Sequence, residues 1–219
     1  FVKNKYTMKN IVGQTPRGED FYPRDSIINR IYRRLESGNH LYLSAPRRSG
    51  KTSIMRALED SPRDGYIFIY LNVEDCTDQE DYFRLLSEEL EKSAAHGRLA
   101  RLGERAKGVL ESFLERIKKV KIAGLELETA SSGAAPSYAE TFEQLLRDLE
   151  TENATVVIMV DEFPVAVENI AKAKAKDAAV GFLHANRAMR QRAKSAIRFI
   201  YTGSIGLPNV ARKLDPAPT

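Results

Sequence analysis

The chain has 219 residues, of which 42% are hydrophobic and 29% are charged, and its formal net charge is +4. This is enough for one compact domain with a hydrophobic core. The single cysteine, Cys76, excludes an intrachain disulfide and favours a reducing, cytoplasmic setting. The longest apolar stretch, residues 156–160, is far shorter than the roughly 20 residues of a membrane span, so no membrane partner is expected. The mild positive charge permits a nucleic-acid partner without indicating one.

Strand-like and helical segments alternate along the chain, which predicts an α/β fold with a parallel central sheet. The first helix is predicted over residues 24–38, with Asp25 as its N-cap and Gly38 at its end. The other helices are predicted at residues 51–58, 78–94, 106–120, 138–149 and 165–194, the last of them broken near residues 174–177. Strands are predicted at residues 41–44, 66–71, 155–160 and 197–202.

Residues 93–137 are expected to form an insertion made of helix, edge strand and loop. The charged face of its helix is expected to be solvated, opposite an apolar face with Phe113 and Ile117. The alternation over residues 121–128 predicts a short edge strand, and the small polar residues 129–137 predict a mobile loop.

A phosphate-binding loop is predicted between the first strand and the second helix. There, backbone N–H groups and a helix N-terminus would surround phosphates, with Gly50 allowing close approach. Lys51 would reach the β- and γ-phosphates and the Thr52 hydroxyl would bind Mg²⁺. The usual first glycine is Ala45 here, which the position tolerates if its φ stays negative. The residues expected to contact the nucleotide are Ala45, Pro46, Arg47, Arg48, Ser49, Gly50, Lys51, Thr52 and Ser53.

The roles of Arg47 and Arg48 stay open at this point, because arginines on an exposed loop either contact phosphates or are simply solvated.

The most apolar strand ends in Asp161 and Glu162, where open α/β sheets bind ligands. Asp161 is predicted to hold Mg²⁺, directly or through a water, and Glu162 to polarise the attacking water. The alternative is an acidic turn that merely ends a strand. The pair favours a hydrolase over a small-molecule kinase.

Four segments in this order resemble the archaeal-type P-loop ATPases of the AAA+/STAND branch, and they are also similar to replication-initiator ATPases. They are residues 21–24 (Phe-Tyr-Pro-Arg), 45–53 (Ala-Pro-Arg-Arg-Ser-Gly-Lys-Thr-Ser), 160–164 (Val-Asp-Glu-Phe-Pro) and 201–207 (Tyr-Thr-Gly-Ser-Ile-Gly-Leu). The resemblance covers essentially the whole chain. It implies a three-layer α/β/α domain over residues 1–219 that binds ATP and Mg²⁺.

The same resemblance assigns further roles. It makes Asp161 and Glu162 a Walker B pair and places Thr202 or Ser204 at the sensor-1 position, although on the residues alone these hydroxyls could belong to a glycine-rich turn. It puts Tyr22 and Arg24 close to the adenine, and Arg187 and Arg190 in the region that supplies arginine fingers. A solvated basic helix face explains those two arginines equally well. It also implies a further strand and a helical lid beyond this chain, so we expect the chain to be part of a longer ATPase.

Three functions remain open. The first is ATP hydrolysis with Glu162 as the catalytic base, assisted by Lys51, Ser204 and Arg190. Hydrolysis would drive a conformational change that alters a protein partner or the association of the protein with itself. The second is a nucleotide-gated interaction module, set by ATP or ADP with little turnover. The third is DNA binding, supported only by the basic residues Arg30, Arg33, Arg34, Arg47 and Arg48.

Overall fold

The computed structural model describes residues 15–18, 21–22, 24–127 (backbone only over 124–127), 137–151, 153–193 and 196–214. The strands are Leu41–Ser44 (β1), Tyr66–Asn72 (β2), Thr155–Asp161 (β3) and Ile197–Gly203 (β4). The helices are Asp25–Glu36 (α1), Lys51–Asp60 (α2), Gln79–Ala95 (α3), Glu104–Leu127 (α4), Tyr138–Asp148 (α5), Phe163–Ala173 (α6), Lys176–Arg192 (α7) and Leu207–Leu214 (α8). A short 3-10 helix, Arg98–Arg101, connects α3 to α4.

The four strands form one parallel sheet in the order β1-β4-β3-β2. Tyr201 of β4 lies beside Tyr42 of β1 on one side and Val160 of β3 on the other. Strands β2, β3 and β4 are nearly continuous apolar runs because helices cover both faces of the sheet. Since all strands are parallel, the segments that follow β1, β3 and β4 meet at one edge of the sheet.

Helices cover the two faces unequally. Helices α1 and α2 cover one face through a core formed by Ile31, Tyr32, Leu35, Ile54, Met55, Leu58, Phe68, Tyr70, Val157, Met159 and Ile200. Helices α3, α5, α6 and α7 cover the other face, and α4 packs outside them against α5. Successive residues of a strand point to opposite faces, so Met159 belongs to the first core and Val160 to the second. The predicted three-layer α/β/α fold with a parallel sheet is confirmed.

The predicted edge strand over residues 121–128 is wrong, because α4 continues through Leu127. Each residue added to a formed helix makes its hydrogen bond within that helix, whereas each residue of a strand must bond to a neighbouring strand. Lys121 lies within α4 and donates from Nζ to Glu91 Oε2 on α3 at 2.5 Å. Residues 128–136 of the predicted mobile loop lie outside the described residues. Ser137, the last residue of that prediction, instead forms a capping box with Glu140 at the start of α5.

Smaller differences occur at the chain's other helices. The N-cap of α1 is Arg24 instead of Asp25, which lies in the first turn, where its charge favours the helix dipole. The predicted break near residues 174–177 is confirmed, since α6 ends at Ala173 and α7 begins at Lys176. Helix α8 was not predicted. Among the described helices, none combines the length and apolarity that crossing a membrane requires.

Candidate functional site

The predicted phosphate loop connects β1 to the N-terminus of α2. Gly50 is the N-cap of α2 and has φ 84°, a left-handed conformation that glycine adopts without steric cost. A Cβ at Gly50 would also lie 3.0 Å from the Arg24 guanidinium. Arg48 is left-handed as well, with φ 61°, and the Ser49 N–H donates to the Pro46 carbonyl at 3.3 Å. The loop is therefore a tight turn that requires glycine at its end.

Lys51 is only 7% exposed although it carries a positive charge. Its Nζ donates to the carbonyl oxygens of Ala45 at 2.7 Å and Pro46 at 3.1 Å. The ammonium group thus bonds across the loop that leads into α2. A positive side chain and the N–H groups at a helix N-terminus both favour an anion. Arg47 and Arg48 are exposed, and the Arg47 guanidinium is 4.0 Å from Glu74.

Asp161, the last residue of β3, is 2% exposed and faces the α2 side of the sheet. Its Oδ2 accepts hydrogen bonds from Thr52 Oγ1 at 2.6 Å and from the Tyr70 hydroxyl at 3.0 Å. Its Oδ1 accepts from the Thr202 hydroxyl and from the Glu162 N–H at 3.1 Å. A buried carboxylate needs such donors to offset the loss of water. Burial and then the Asp161 charge raise the pKa of Tyr70, so its hydroxyl stays protonated and donates.

The residues present fit a magnesium ion. Thr52 Oγ1 and Asp161 Oδ2 are both hard oxygen ligands and are 2.6 Å apart. Mg²⁺ in nucleotide sites uses one or two protein oxygens and takes the rest of its ligands from phosphates and water. The described residues contain no group of three or more His, Cys, Asp or Glu side chains that would indicate a different metal centre.

Glu162 follows Asp161 and is the N-cap of α6. Its φ of 55° is left-handed, which costs a residue other than glycine about 1–3 kcal/mol and persists only where the surroundings enforce it. Glu162 Oε2 accepts from the Ser204 hydroxyl at 3.1 Å and from the Ser204 N–H at 3.3 Å. The two predicted sensor-1 candidates therefore contact different carboxylates, since Thr202 donates to Asp161 and Ser204 to Glu162.

The segments that follow β3 and β4 pack directly against each other. A Cβ at Gly203 would lie 2.5 Å from both Cγ and Cδ of Pro164, so only glycine fits beside the proline ring. The next residue, Ser204, is thereby held beside Glu162. The proline at the start of α6 and the glycine at the end of β4 are thus one packing unit that brings the two polar segments together.

Arg24 and Tyr22 have different surroundings. Arg24 Nη1 donates to the Ser49 carbonyl at 2.6 Å, which places its guanidinium on the predicted phosphate loop. Tyr22 is 58% exposed.

Arg190, the predicted catalytic arginine, is not brought to the loop. Its guanidinium carbon is 5.2 Å from the centre of the Tyr201 ring, on the face of the sheet opposite α2. Arg187 is exposed on the same helix.

Sequence reasoning missed two tyrosines of this region. Tyr70 lies in a predicted strand, and the alternation of that strand places it on the α2 face, but nothing in its neighbours along the chain indicates Asp161 as its partner. The Tyr42 hydroxyl donates to the Ile205 carbonyl and accepts from the Leu207 N–H, both at 2.9 Å. Tyr42 therefore ties the segment after β4 to β1.

Comparisons with known proteins agree with the fold. No family model matches this sequence, and no curated protein matches it either. The solved structure of a Walker-type ATPase of Pyrococcus abyssi is similar, with a TM-score of 0.55 and 18% sequence identity over 93% of this chain and 51% of that chain. The present chain thus spans about half the length of that ATPase. At this identity the likeness concerns the fold alone, and the chain has the α/β fold of a P-loop ATPase.

Proposed function

We propose that this domain binds Mg-ATP at the loop before α2 and hydrolyses it. The observation that carries the proposal is the 2.6 Å contact between Thr52 Oγ1 and Asp161 Oδ2, at the end of a loop whose carbonyls hold the Lys51 ammonium. These groups come from two segments more than a hundred residues apart. A hydroxyl, a buried carboxylate and an ammonium at one helix N-terminus are the groups that Mg-triphosphate binding requires.

The binding residues act through charge and backbone geometry. The N–H groups of the loop and of the first turn of α2 donate to phosphate oxygens, which the Gly50 conformation permits. Lys51 stabilises the negative charge that develops on the β- and γ-phosphates. Thr52 and Asp161 would hold Mg²⁺, which supplies further neutralisation of phosphate charge when bound. We include Tyr22 and Arg24 as residues near the adenine, supported by the Arg24 contact with the loop.

Glu162 serves as the base of the hydrolysis. Its carboxylate accepts a proton from the water that attacks the γ-phosphorus, the bond to the bridging oxygen breaks, and ADP leaves. Ser204 keeps Glu162 in place through two hydrogen bonds. Arg190 has no part in this step within one chain, because it packs on Tyr201 across the sheet; as an arginine finger it would have to serve a site outside its own chain.

The nucleotide state would be converted into movement through α6 and α8. Helix α6 begins at Glu162, and α8 follows Ser204 by a few residues, so both helices are joined directly to the carboxylate–serine pair. This supports a role in acting on a protein partner or in self-association. The single cysteine supports a reducing cytoplasmic setting. The order of the four motifs supports the AAA+/STAND branch.

Calorimetry of ATP binding, with and without Mg²⁺, tests the site. The wild-type chain should bind with micromolar affinity and Lys51→Ala should not, because the variant loses the ammonium between the phosphates. Lys107→Ala is the matched control, since Lys107 pairs with Glu104 on α4. A folded wild type that binds no nucleotide would contradict the proposal.

Glu162→Gln separates hydrolysis from gating. We expect the single-turnover rate to fall by about 10²–10⁴-fold with ATP affinity retained, because the amide cannot accept the proton. If the wild type binds ATP but this substitution leaves the rate unchanged, the domain is a nucleotide-gated module and not a hydrolase.

A further inference from the structure

Tyr70 is a buried polar residue that the proposed mechanism does not use. It lies on β2, is 7% exposed, and donates from its hydroxyl to Asp161 Oδ2 at 3.0 Å. Its strand neighbour is Met159, two residues before Asp161, so the tyrosine reaches along the sheet to the end of β3. A tyrosine placed only for packing would not need this carboxylate as its partner.

The two oxygens of Asp161 are held by different groups. Oδ1 accepts from Thr202 and from the Glu162 N–H, neither of which belongs to the proposed metal site. Oδ2 accepts from Thr52 and from Tyr70. Because Thr52 is itself a proposed metal ligand, Tyr70 is the donor on Oδ2 that stays outside the metal site. Thr202 and the Glu162 N–H thus hold the carboxylate by its other oxygen, and the tyrosine hydroxyl acts on Oδ2 directly.

The Tyr70 ring is fixed by the phosphate-loop helix. The guanidinium carbon of Arg56 lies 3.5 Å from the centre of the ring. Arg56 follows Thr52 by one helical turn, so the same face of α2 contacts the tyrosine and the carboxylate. Arg56 also pairs with Glu59 at 2.7 Å, and Glu59 Oε1 accepts from the Tyr70 N–H at 3.4 Å. The side chain of Glu59 is 5% exposed and pairs with Arg98 as well, at 2.8 Å.

We propose that Tyr70 is a positioning residue that aims Asp161 Oδ2 at the magnesium position beside Thr52. Arg56 holds the tyrosine ring, and Glu59 holds Arg56 and the Tyr70 N–H. This inference rests on the proposed function, since it concerns the metal of the same site. Hydrogen-bond partners of metal ligands typically change metal affinity by 10–100-fold when they are removed. Tyr70 thus acts on the magnesium requirement, and not on the nucleotide itself.

The test is binding of a fluorescent ATP analogue, titrated with Mg²⁺ and repeated in EDTA. Tyr70→Phe removes only the hydroxyl, and Tyr66→Phe on the same strand is the matched control, because the Tyr66 ring stacks on Phe68 and not on the site. We expect Tyr70→Phe to raise the Mg²⁺ concentration for half-maximal binding about tenfold, while its affinity in EDTA equals that of the wild type. Tyr66→Phe should match the wild type in both.

An unchanged Mg²⁺ requirement in Tyr70→Phe overturns the inference, and so does an equal loss of affinity with and without Mg²⁺, which indicates a structural role. A wild type that binds no nucleotide refutes the proposed function itself, and this is seen before any variant is compared. If Tyr70→Phe does not fold, Arg56→Lys replaces it, since lysine keeps a charge for Glu59 but loses the stacked guanidinium. It should raise the Mg²⁺ requirement about two- to fivefold, and no change overturns the inference.

Discussion

The two faces of the sheet differ in what they contain at the strand ends. The face covered by α1 and α2 ends in a cluster of hydroxyls and carboxylate around Asp161, whereas the opposite face is filled by aromatic side chains, among them Tyr82, Phe142, Phe163 and Phe182. Both faces are built from the same strands, so the neighbours Tyr201 and Thr202 belong to different environments. The alternation of single residues along each strand thus separates the polar cluster around Asp161 from most of the aromatic packing.

The largest expected effect is on the aromatic face. Phe142 on α5 is fully buried and contacts Phe83 and Phe113. Phe142→Ala should lower the free energy of unfolding by about 3–5 kcal/mol, because it leaves a cavity among rigid neighbours. Urea denaturation measures this change, and the affinity of the remaining folded protein for ATP should be unaltered. If the free energy of unfolding falls by less than about 1 kcal/mol, the aromatic face does not supply most of the stability of the domain.

On the other face, Thr202→Val should cost about 1.5–3 kcal/mol, because it removes a hydrogen bond to the buried Asp161 carboxylate while preserving shape. It should also weaken Mg-ATP binding. Tyr201→Phe, one position away, is the control and should change stability without changing nucleotide binding. If Thr202→Val and Tyr201→Phe weaken Mg-ATP binding equally, the two faces of the sheet do not differ in their role in nucleotide binding.

Gly203 lies where the two strand ends meet. Gly203→Ala should destabilise the domain by about 1–3 kcal/mol, because the new Cβ overlaps the Pro164 ring. It should also slow hydrolysis by displacing Ser204 from Glu162. Gly181→Ala is the matched control: Gly181 lies inside α7 with open space around it, and alanine there should raise the melting temperature. A Gly203→Ala protein as stable as the wild type would show that Pro164 moves freely.

The smallest expected effect concerns pH and lies at the amino end of the sheet. Burial first, and then the nearby Arg198, lowers the pKa of His40, whose Nδ1 accepts from the Phe199 N–H at 3.1 Å. The unfolded chain therefore protonates His40 at a higher pH than the folded chain does. The contribution of neutral His40 to the free energy of unfolding is complete above the usual histidine pKa of about 6.5 and is lost as the pH falls below it. Unfolding free energies between pH 7.5 and 5 should decline less in His40→Gln than in the wild type. An identical decline would contradict this assignment.

Local sequence determined most of the elements. Gly50, directly before a helical pattern, indicates the turn before α2, and the apolar runs of β2, β3 and β4 indicate buried parallel strands. The carboxylates Asp161 and Glu162 were placed at a strand end by the same reasoning. These features depend on residues close together in the chain, so a single sequence is enough to predict them.

Long-range contacts decided the rest. The alternating pattern over residues 121–128 fits a strand as well as a helix, and the continuation of the already formed helix α4 through Leu127 decides for the helix. Arg190 is expected near the site only from the resemblance to other ATPases, but the face on which α7 packs directs it to Tyr201. The sequence offers Thr202 and Ser204 equally as sensor-1 residues. In the structure, the register of β4 beside β3 places Thr202 against Asp161 and Ser204 against Glu162.

By itself, then, the sequence determined that a glycine-ended loop between a strand and a helix, an acidic strand end and a hydroxyl-bearing strand end exist. Only the tertiary structure decided that Thr52, Tyr70 and Thr202 donate to one carboxylate, and that Glu162 is held by Ser204. The physical reason is that the spacing of apolar residues along the chain shows which residues share a face of a strand or helix. Which face is buried, and against which partner, depends on strand order and register. Those are set by packing energies summed over the whole chain.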